Sequence, residues 1–224
     1  MLLPDEGIHM SYSIFLIHGT AKISPRNFFA KKKPRHKWMD TLSESLSKET
    51  GTVKCFYWSG RLFGAWSNRE IQSCADAIST FLEKSTNKVV FISKSNGAQL
   101  LENSLSLVPK KYLSGKEFIE LRLATPLKGS QIHANRFRTR TICISPTDRM
   151  HKLGRLFFKP LFPAADFDDC NLLQISFEDF CHGDFNENII VKRESDIHPF
   201  PLYELYAKII ISNAEFSWEH YWKA

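Results

Sequence analysis

Short apolar runs alternate with longer amphipathic segments along this chain. The first run, residues 12–17, is almost entirely apolar, which is typical of a strand buried on both faces of a parallel sheet. Later runs predict further strands over residues 53–58, 88–92, 118–123, 140–145 and 172–177.

Apolar residues at helical spacing predict the helices. Trp38, Leu42 and Leu46 lie four residues apart and predict a helix that is closed by Gly51. The segment from Ser67 to Glu70 has a capping-box pattern, so a helix is expected over residues 67–84. Two more helices are predicted, over residues 98–108 and 202–211.

The alternation of strands and helices predicts an α/β protein with a mostly parallel sheet. No internal repeat or low-complexity linker interrupts the pattern, so we expect one domain over residues 1–224. Residues 1–10 are expected to be a disordered or non-native extension.

Composition and charge exclude several classes of protein. The chain of 224 residues is 43% hydrophobic and 13% aromatic, which excludes a disordered tail or a fibrous protein. Its formal charge of +6 is far below that of a dedicated nucleic-acid binder, so no nucleic-acid partner is expected.

Neither a membrane span nor a leader peptide is predicted. No apolar run reaches the roughly 18 residues of a transmembrane helix. Asp5 and Glu6 lie where a secretory signal would be apolar. We therefore expect a cytoplasmic protein, with non-classical secretion left open.

The cysteines indicate reduced thiols. There are five, an odd number, and none forms a C-x-x-C pair. We therefore expect neither a disulfide framework nor a metal site.

The segment from Ser93 to Gly97 has the pattern of a nucleophile elbow. It joins a strand of buried type directly to a helix, and Ser95 at its centre has small residues two positions away on each side. A serine hydrolase needs this turn because it lifts the hydroxyl clear of the sheet and directs main-chain N–H groups at the developing oxyanion.

Three segments of the chain together resemble the α/β-hydrolase fold superfamily. They are the elbow, His18-Gly19-Thr20 and Trp58-Ser59-Gly60. The similarity is to its small bacterial lipase- and esterase-like members. The resemblance implies about six mostly parallel strands with helices on both faces, no large lid domain and no cofactor. It also implies a nucleophile, acid and base in that chain order.

Carried over to this chain, the resemblance makes Ser95 the nucleophile. The main-chain N–H of Asn96 is then one oxyanion donor, and that of Thr20 or Ala21 is the other. His18 and Gly19 would support this loop beside the substrate.

Two residues of the elbow depart from the family pattern. Ser93 replaces a glycine and Lys94 replaces a histidine. We expect a slightly widened turn and a solvated Lys94 ammonium. These departures motivate the alternative hypothesis, a catalytically altered α/β-hydrolase-fold binding or interaction protein.

The acid is expected after the strand over residues 140–145, because its carboxylate must lie at the same sheet edge as the nucleophile. Asp148 meets this condition, although a turn-forming aspartate after Pro146 is the structural alternative. The fallback residues are Asp166, Asp168 and Asp169.

The base is expected in a loop after the last strand. His182, beside Gly183, is the candidate, and His198 is its rival. The remaining histidines are expected at the solvated surface; they are His9, His36, His133, His151 and His220.

Further segments bear on the substrate. The basic loop over residues 31–37 could border the site and contact an anionic membrane surface, or be merely solvated. Phe157 and Phe158 could line an acyl-binding wall, or fill the core. We expect a small-molecule or lipid ester as substrate; the sequence gives no oligomeric state.

Overall fold

The chain folds as a parallel sheet with helices packed against it. The computed structural model describes residues 12–20, 36–47, 52–61, 64–124, 137–144, 172–176, 189–192 and 197–200. The strands are β1 (Ser13–Ile17), β2 (Val53–Phe56), β3 (Lys88–Lys94), β4 (Glu117–Leu123), β5 (Phe137–Ile144), β6 (Leu172–Ser176), β7 (Ile189–Lys192) and β8 (Ile197–Phe200). The helices are α1 (Lys37–Ser47), α2 (Asn68–Lys84), α3 (Asn96–Leu105) and α4 (Lys110–Leu113), with a 3-10 turn over Gly64–Trp66.

The main sheet has the strand order β2-β1-β3-β4, and the main-chain pairing continues through β5 to β6. Every neighbouring pair in it is parallel. All five residues of β1 are buried, as its apolar sequence predicted. The predicted α/β class with a parallel sheet is confirmed, and the arrangement is consistent with the expected α/β-hydrolase fold.

Helices lie on both faces of this sheet. The chain runs from β1 outward to β2 and then back past β1 to β3, so right-handed crossovers put α1 and α2 on opposite faces. On the α1 face, the Cys55 thiol donates to the main-chain carbonyl of Met39 at 3.8 Å. On the other face, Phe15 and Phe91 pack in one apolar cluster with residues of α2 and α3.

The predicted strands, and the predicted helices up to residue 108, occur in the described residues with ends that differ by a few residues. The strand predicted over residues 53–58 ends at Phe56, and the helix predicted over residues 98–108 spans 96–105. Ser67 is the N-cap of α2, as the capping-box pattern predicted. The predicted side-chain hydrogen bond is wrong, because the Ser67 side chain makes no cap hydrogen bond. The antiparallel hairpin of β7 and β8 was not predicted.

Two further sequence expectations concern the C-terminal helix and a membrane span. The helix predicted over residues 202–211 lies outside the described residues. Within the described ranges, no helix is both long enough and apolar enough to cross a membrane.

Candidate active site

The strand order places a crevice between β1 and β3. The chain leaves β1 in one direction and reaches β3 on its other side, so the loops after these two strands diverge. Ligands of open α/β sheets bind at the carboxyl ends of the strands at such a switch point. His18 follows β1 and Ser95 follows β3, so both lie at this point.

Ser95 occupies the turn between β3 and α3 in a sparsely populated backbone conformation. Its φ is 49° and its ψ is −129°. Such a conformation costs about 1–3 kcal/mol and persists only where the surroundings fix it. Among the described non-glycine residues, only Ser95 and Ala124 have a positive φ. The strained residue is therefore the serine that the sequence predicts to be the nucleophile.

Two glycines allow the turn to pack tightly against the loop after β1. A Cβ at Gly97 would lie 2.4 Å from the main-chain oxygen of His18, and one at Gly19 would lie 2.8 Å from the Cβ of Ser95. On the other side, the Ser95 N–H donates to the carbonyl of Leu123 at the end of β4, at 2.9 Å. The elbow is therefore held from both neighbouring strands.

The hydrogen bonds of His18 occupy both of its ring nitrogens. The Trp58 main-chain N–H donates to Nε2 at 3.1 Å, so the proton lies on Nδ1, which is 2.6 Å from the carbonyl oxygen of Gly19. The Trp58 indole N–H also donates to the His18 carbonyl at 2.7 Å. The neutral His18 ring thus stabilises the loop after β1, and neither of its nitrogens is left to accept a proton from Ser95.

A side-chain hydrogen bond joins the two loops at the crevice. The carboxamide Nδ2 of Asn96 donates to the hydroxyl oxygen of Thr20 at 2.8 Å. Asn96 is also the first residue of α3, where the N–H groups and the positive end of the helix dipole face outward. A negative charge that develops next to Ser95 would be stabilised there.

His36 is half-buried and not fully solvated, so that expectation holds only in part. Its ring stacks on His18 with the centroids 4.0 Å apart, and His18 stacks on Trp58 at 5.6 Å. Burial lowers the pKa of His36, and the nearby Lys94 charge lowers it further. The three stacked rings thus connect the residue before α1, the loop after β1 and the segment after β2.

Lys94 and Ser93 are both buried. The expectation of a solvated Lys94 ammonium is wrong, since the residue is only 5% exposed. Consecutive strand residues point to opposite faces, so Lys94 lies on the α1 face and Ser93 on the α3 face. The Ser93 hydroxyl has no hydrogen-bond partner among the described residues.

A buried ion cluster behind the elbow was missed by the sequence analysis. Arg122 of β4 contacts Glu120 on the same strand and Glu102 of α3. Burial alone would lower the pKa of Arg122, but the two carboxylates raise it overall. The alternation of charged residues at 120 and 122 within an apolar strand was the available signal.

Several predicted site residues lie outside the described residues; they are Ala21, Asp148, Phe157, Phe158 and His182. The fallback aspartates also lie outside them. The rival His198 is on β8, where its main chain pairs with Val191. The last residue of the basic loop, Lys37, begins α1.

Comparison with known proteins finds distant likeness among solved structures. A scan against protein-family models and a search of curated proteins each found no match. Among solved structures, the chain is similar to Trichoderma reesei cutinase in complex with a C11Y4 phosphonate inhibitor. The identity is 15%, the match covers 91% of this chain and 74% of the cutinase chain, and the TM-score is 0.41. Values this low transfer no site residue to this chain.

Proposed function

We propose that this protein is a serine hydrolase that cleaves carboxylic esters through an acyl-enzyme on Ser95. The observation that carries the proposal is the conformation of Ser95, with φ 49° and ψ −129° at a strand-to-helix turn. Strain at a single serine, maintained by close packing against Gly19 and Gly97, is expected where a hydroxyl must be presented for reaction.

The acid and base are Asp148 and His182 in this proposal. The strand order supports both assignments, because Asp148 follows β5 and His182 follows β6 in the chain. Both strands are paired in parallel within the sheet that carries β3, so their carboxyl ends share the edge at which Ser95 lies. His18 uses both ring nitrogens, which favours a base from elsewhere in the chain.

The reaction follows from these roles. The imidazole of His182 takes the proton of the Ser95 hydroxyl, and the oxygen attacks the ester carbonyl. The resulting oxyanion accepts hydrogen bonds from the main-chain N–H of Asn96 and from that of Thr20 or Ala21. The alcohol leaves with the proton from His182. Water then hydrolyses the acyl-enzyme by the same proton transfers, and no cofactor is required.

The substrate is a small-molecule or lipid ester. Gly19 and His18 border the reacting carbonyl in this proposal, and Phe157 and Phe158 contact the acyl chain. Contact of the basic loop with an anionic membrane surface would bring a lipid substrate to the site.

Hydrolysis of chromogenic esters of graded acyl length tests the proposal. We expect Ser95→Ala to reduce kcat/KM by at least about 10³, whereas Ser106→Ala, a matched change at the C-terminal end of α3, should leave it unchanged. Activity that peaks at long chains would support a lipid substrate, and activity confined to acetate or butyrate would exclude it.

The remaining assignments are tested with the same esters. His182→Ala and Asp148→Asn should each lower kcat strongly; unchanged activity in either variant would overturn that assignment. Full activity of Ser95→Ala would overturn the whole proposal. A folded wild-type protein that hydrolyses no ester would instead favour the catalytically altered binding protein.

A further inference from the structure

A buried ion cluster joins β4 to the helix that follows the elbow. The Arg122 Nε donates to Oε1 of Glu120 at 2.7 Å, and its Nη2 lies 3.6 Å from Oε2 of Glu102. None of the three side chains is more than 6% exposed. Glu120, two residues before Arg122 on the same strand, therefore fixes the direction in which the guanidinium reaches the helix.

This cluster acts on the same segment as the elbow contacts. Arg122 pairs in register with Ser93, and the next residue, Leu123, accepts the hydrogen bond from the Ser95 N–H. Glu102 is the only charged residue of α3, and it faces the sheet from the middle of that helix. Strand β4 thus contacts the elbow through the Leu123 carbonyl and contacts α3 through Arg122, which pairs with Glu102.

Net stability is a poor explanation for such a cluster. Buried ion pairs gain little over apolar residues of similar volume, because the charges lose their hydration. The contacts of Leu100, Leu101 and Leu105 bury apolar surface, but apolar contacts tolerate small sliding movements of the helix. The hydrogen bond to Glu120 at 2.7 Å fixes the Arg122 guanidinium, and the fixed charge then attracts the Glu102 carboxylate 3.6 Å away.

We propose that Arg122 and Glu102 form a clamp that positions α3, so that the Ser95 hydroxyl and the Asn96 N–H keep their reactive geometry. Both are positioning residues, and neither touches the substrate. The inference rests on the proposed function for its catalytic consequence. A displacement of about 1 Å at a reacting group can cost about 10² in rate, so a small shift of the helix is sufficient.

The test replaces the whole cluster by apolar residues in the full chain. The triple variant Glu102→Leu, Glu120→Leu and Arg122→Met removes both signs of charge together, so it should fold with a Tm near that of the wild type. We expect kcat for a chromogenic ester to fall at least about tenfold with KM changed less than about threefold. A merely structural role would leave kcat unchanged in the folded variant.

Two further variants make the kinetic result interpretable. The matched control Gln99→Ala removes a side-chain bond to Asn103 within α3, and it should leave kcat and KM unchanged. If the triple variant does not fold, Glu102→Gln takes its place: it keeps the shape and removes the charge. A lowered kcat in that variant supports the clamp, and an unchanged kcat overturns it.

Hydrogen exchange separates the clamp from the proposed function. Loss of the clamp should speed exchange of main-chain amides in the first half of α3 relative to those of α2. Equal exchange and equal kcat in wild type and triple variant would overturn the clamp alone. If the wild type hydrolyses no ester, the proposed function fails, and the exchange rates still decide whether the cluster positions the helix.

Discussion

Replacing Gly97 by alanine should destabilise this protein, although the same change inside a helix ordinarily stabilises it. In a helix interior, alanine is favoured over glycine by about 1 kcal/mol. Gly97 is the second residue of α3, so propensity alone predicts a gain. The neighbourhood of the missing Cβ predicts the opposite.

The magnitude follows from the distances around this position. A Cβ at Gly97 would lie 2.4 Å from the carbonyl oxygen of His18 and 3.0 Å from that of Ile17. Ordinary contacts begin at 3.4 Å, so main-chain atoms must separate by about 1 Å. Main chain in and next to a buried strand cannot rotate away as a side-chain tip can. Overpacking of this kind costs about 1–3 kcal/mol or more, which equals or exceeds the propensity gain.

Urea unfolding and ester kinetics together measure this effect. We expect a net loss of up to about 2 kcal/mol in the free energy of unfolding. We also expect a loss of up to about 10² in kcat, because the elbow moves relative to the loop after β1. The control Gly115→Ala has open space but a φ of +73°. It should cost about 1 kcal/mol through strain alone and leave kcat unchanged. A Gly97→Ala variant that is more stable and fully active would refute the packing of the elbow against His18.

Three further predictions concern residues around the elbow. Ser93→Ala should raise the free energy of unfolding by about 1 kcal/mol in urea titrations, because it removes a buried hydroxyl without a described partner; a loss of stability would show that the hydroxyl is bonded. Thr20→Val should lower kcat about tenfold with KM unchanged, because the Asn96 carboxamide loses its acceptor; an unchanged kcat would contradict this role. The pKa of His36 is lowered from 6.5 in the folded protein, so the unfolded chain binds that proton first. The free energy of unfolding should therefore fall as the pH drops from 6.5 toward the lowered value. His36→Phe, which keeps an aromatic ring, should reduce this slope in denaturation curves at several pH values, and an equal slope would contradict the assignment.

The local sequence pattern was sufficient to predict the two elements on either side of the elbow, β3 and α3. The apolar run before Ser93 predicted β3, and the small residues Ser93 and Gly97 on either side of Ser95 predicted a tight turn from strand to helix. These signals are local because a strand buried on both faces and a tight turn each restrict the residues that can occupy them. The order of the strands in the sheet is not encoded locally, and only the structure shows it.

Burial of polar residues could not be read from the sequence. His36 and Lys94 were expected in solvent, but His36 is half-buried and Lys94 is only 5% exposed. The ring of His36 is covered by that of His18, which lies on a distant part of the chain. The partner of Arg122 is Glu102, on a different element, so no local pattern connects them. Hairpin β7–β8 was missed because Pro199 lies within β8, and proline argues against a strand.

Mass-spectrometric mapping after reaction with a fluorophosphonate shows whether Ser95 is a reactive nucleophile. We expect one phosphonyl group per chain, attached to the peptide that contains Ser95, and no incorporation into Ser95→Ala. A folded protein that takes up no phosphonyl group, or that carries it on a different serine, would contradict the claim that this turn presents a reactive hydroxyl.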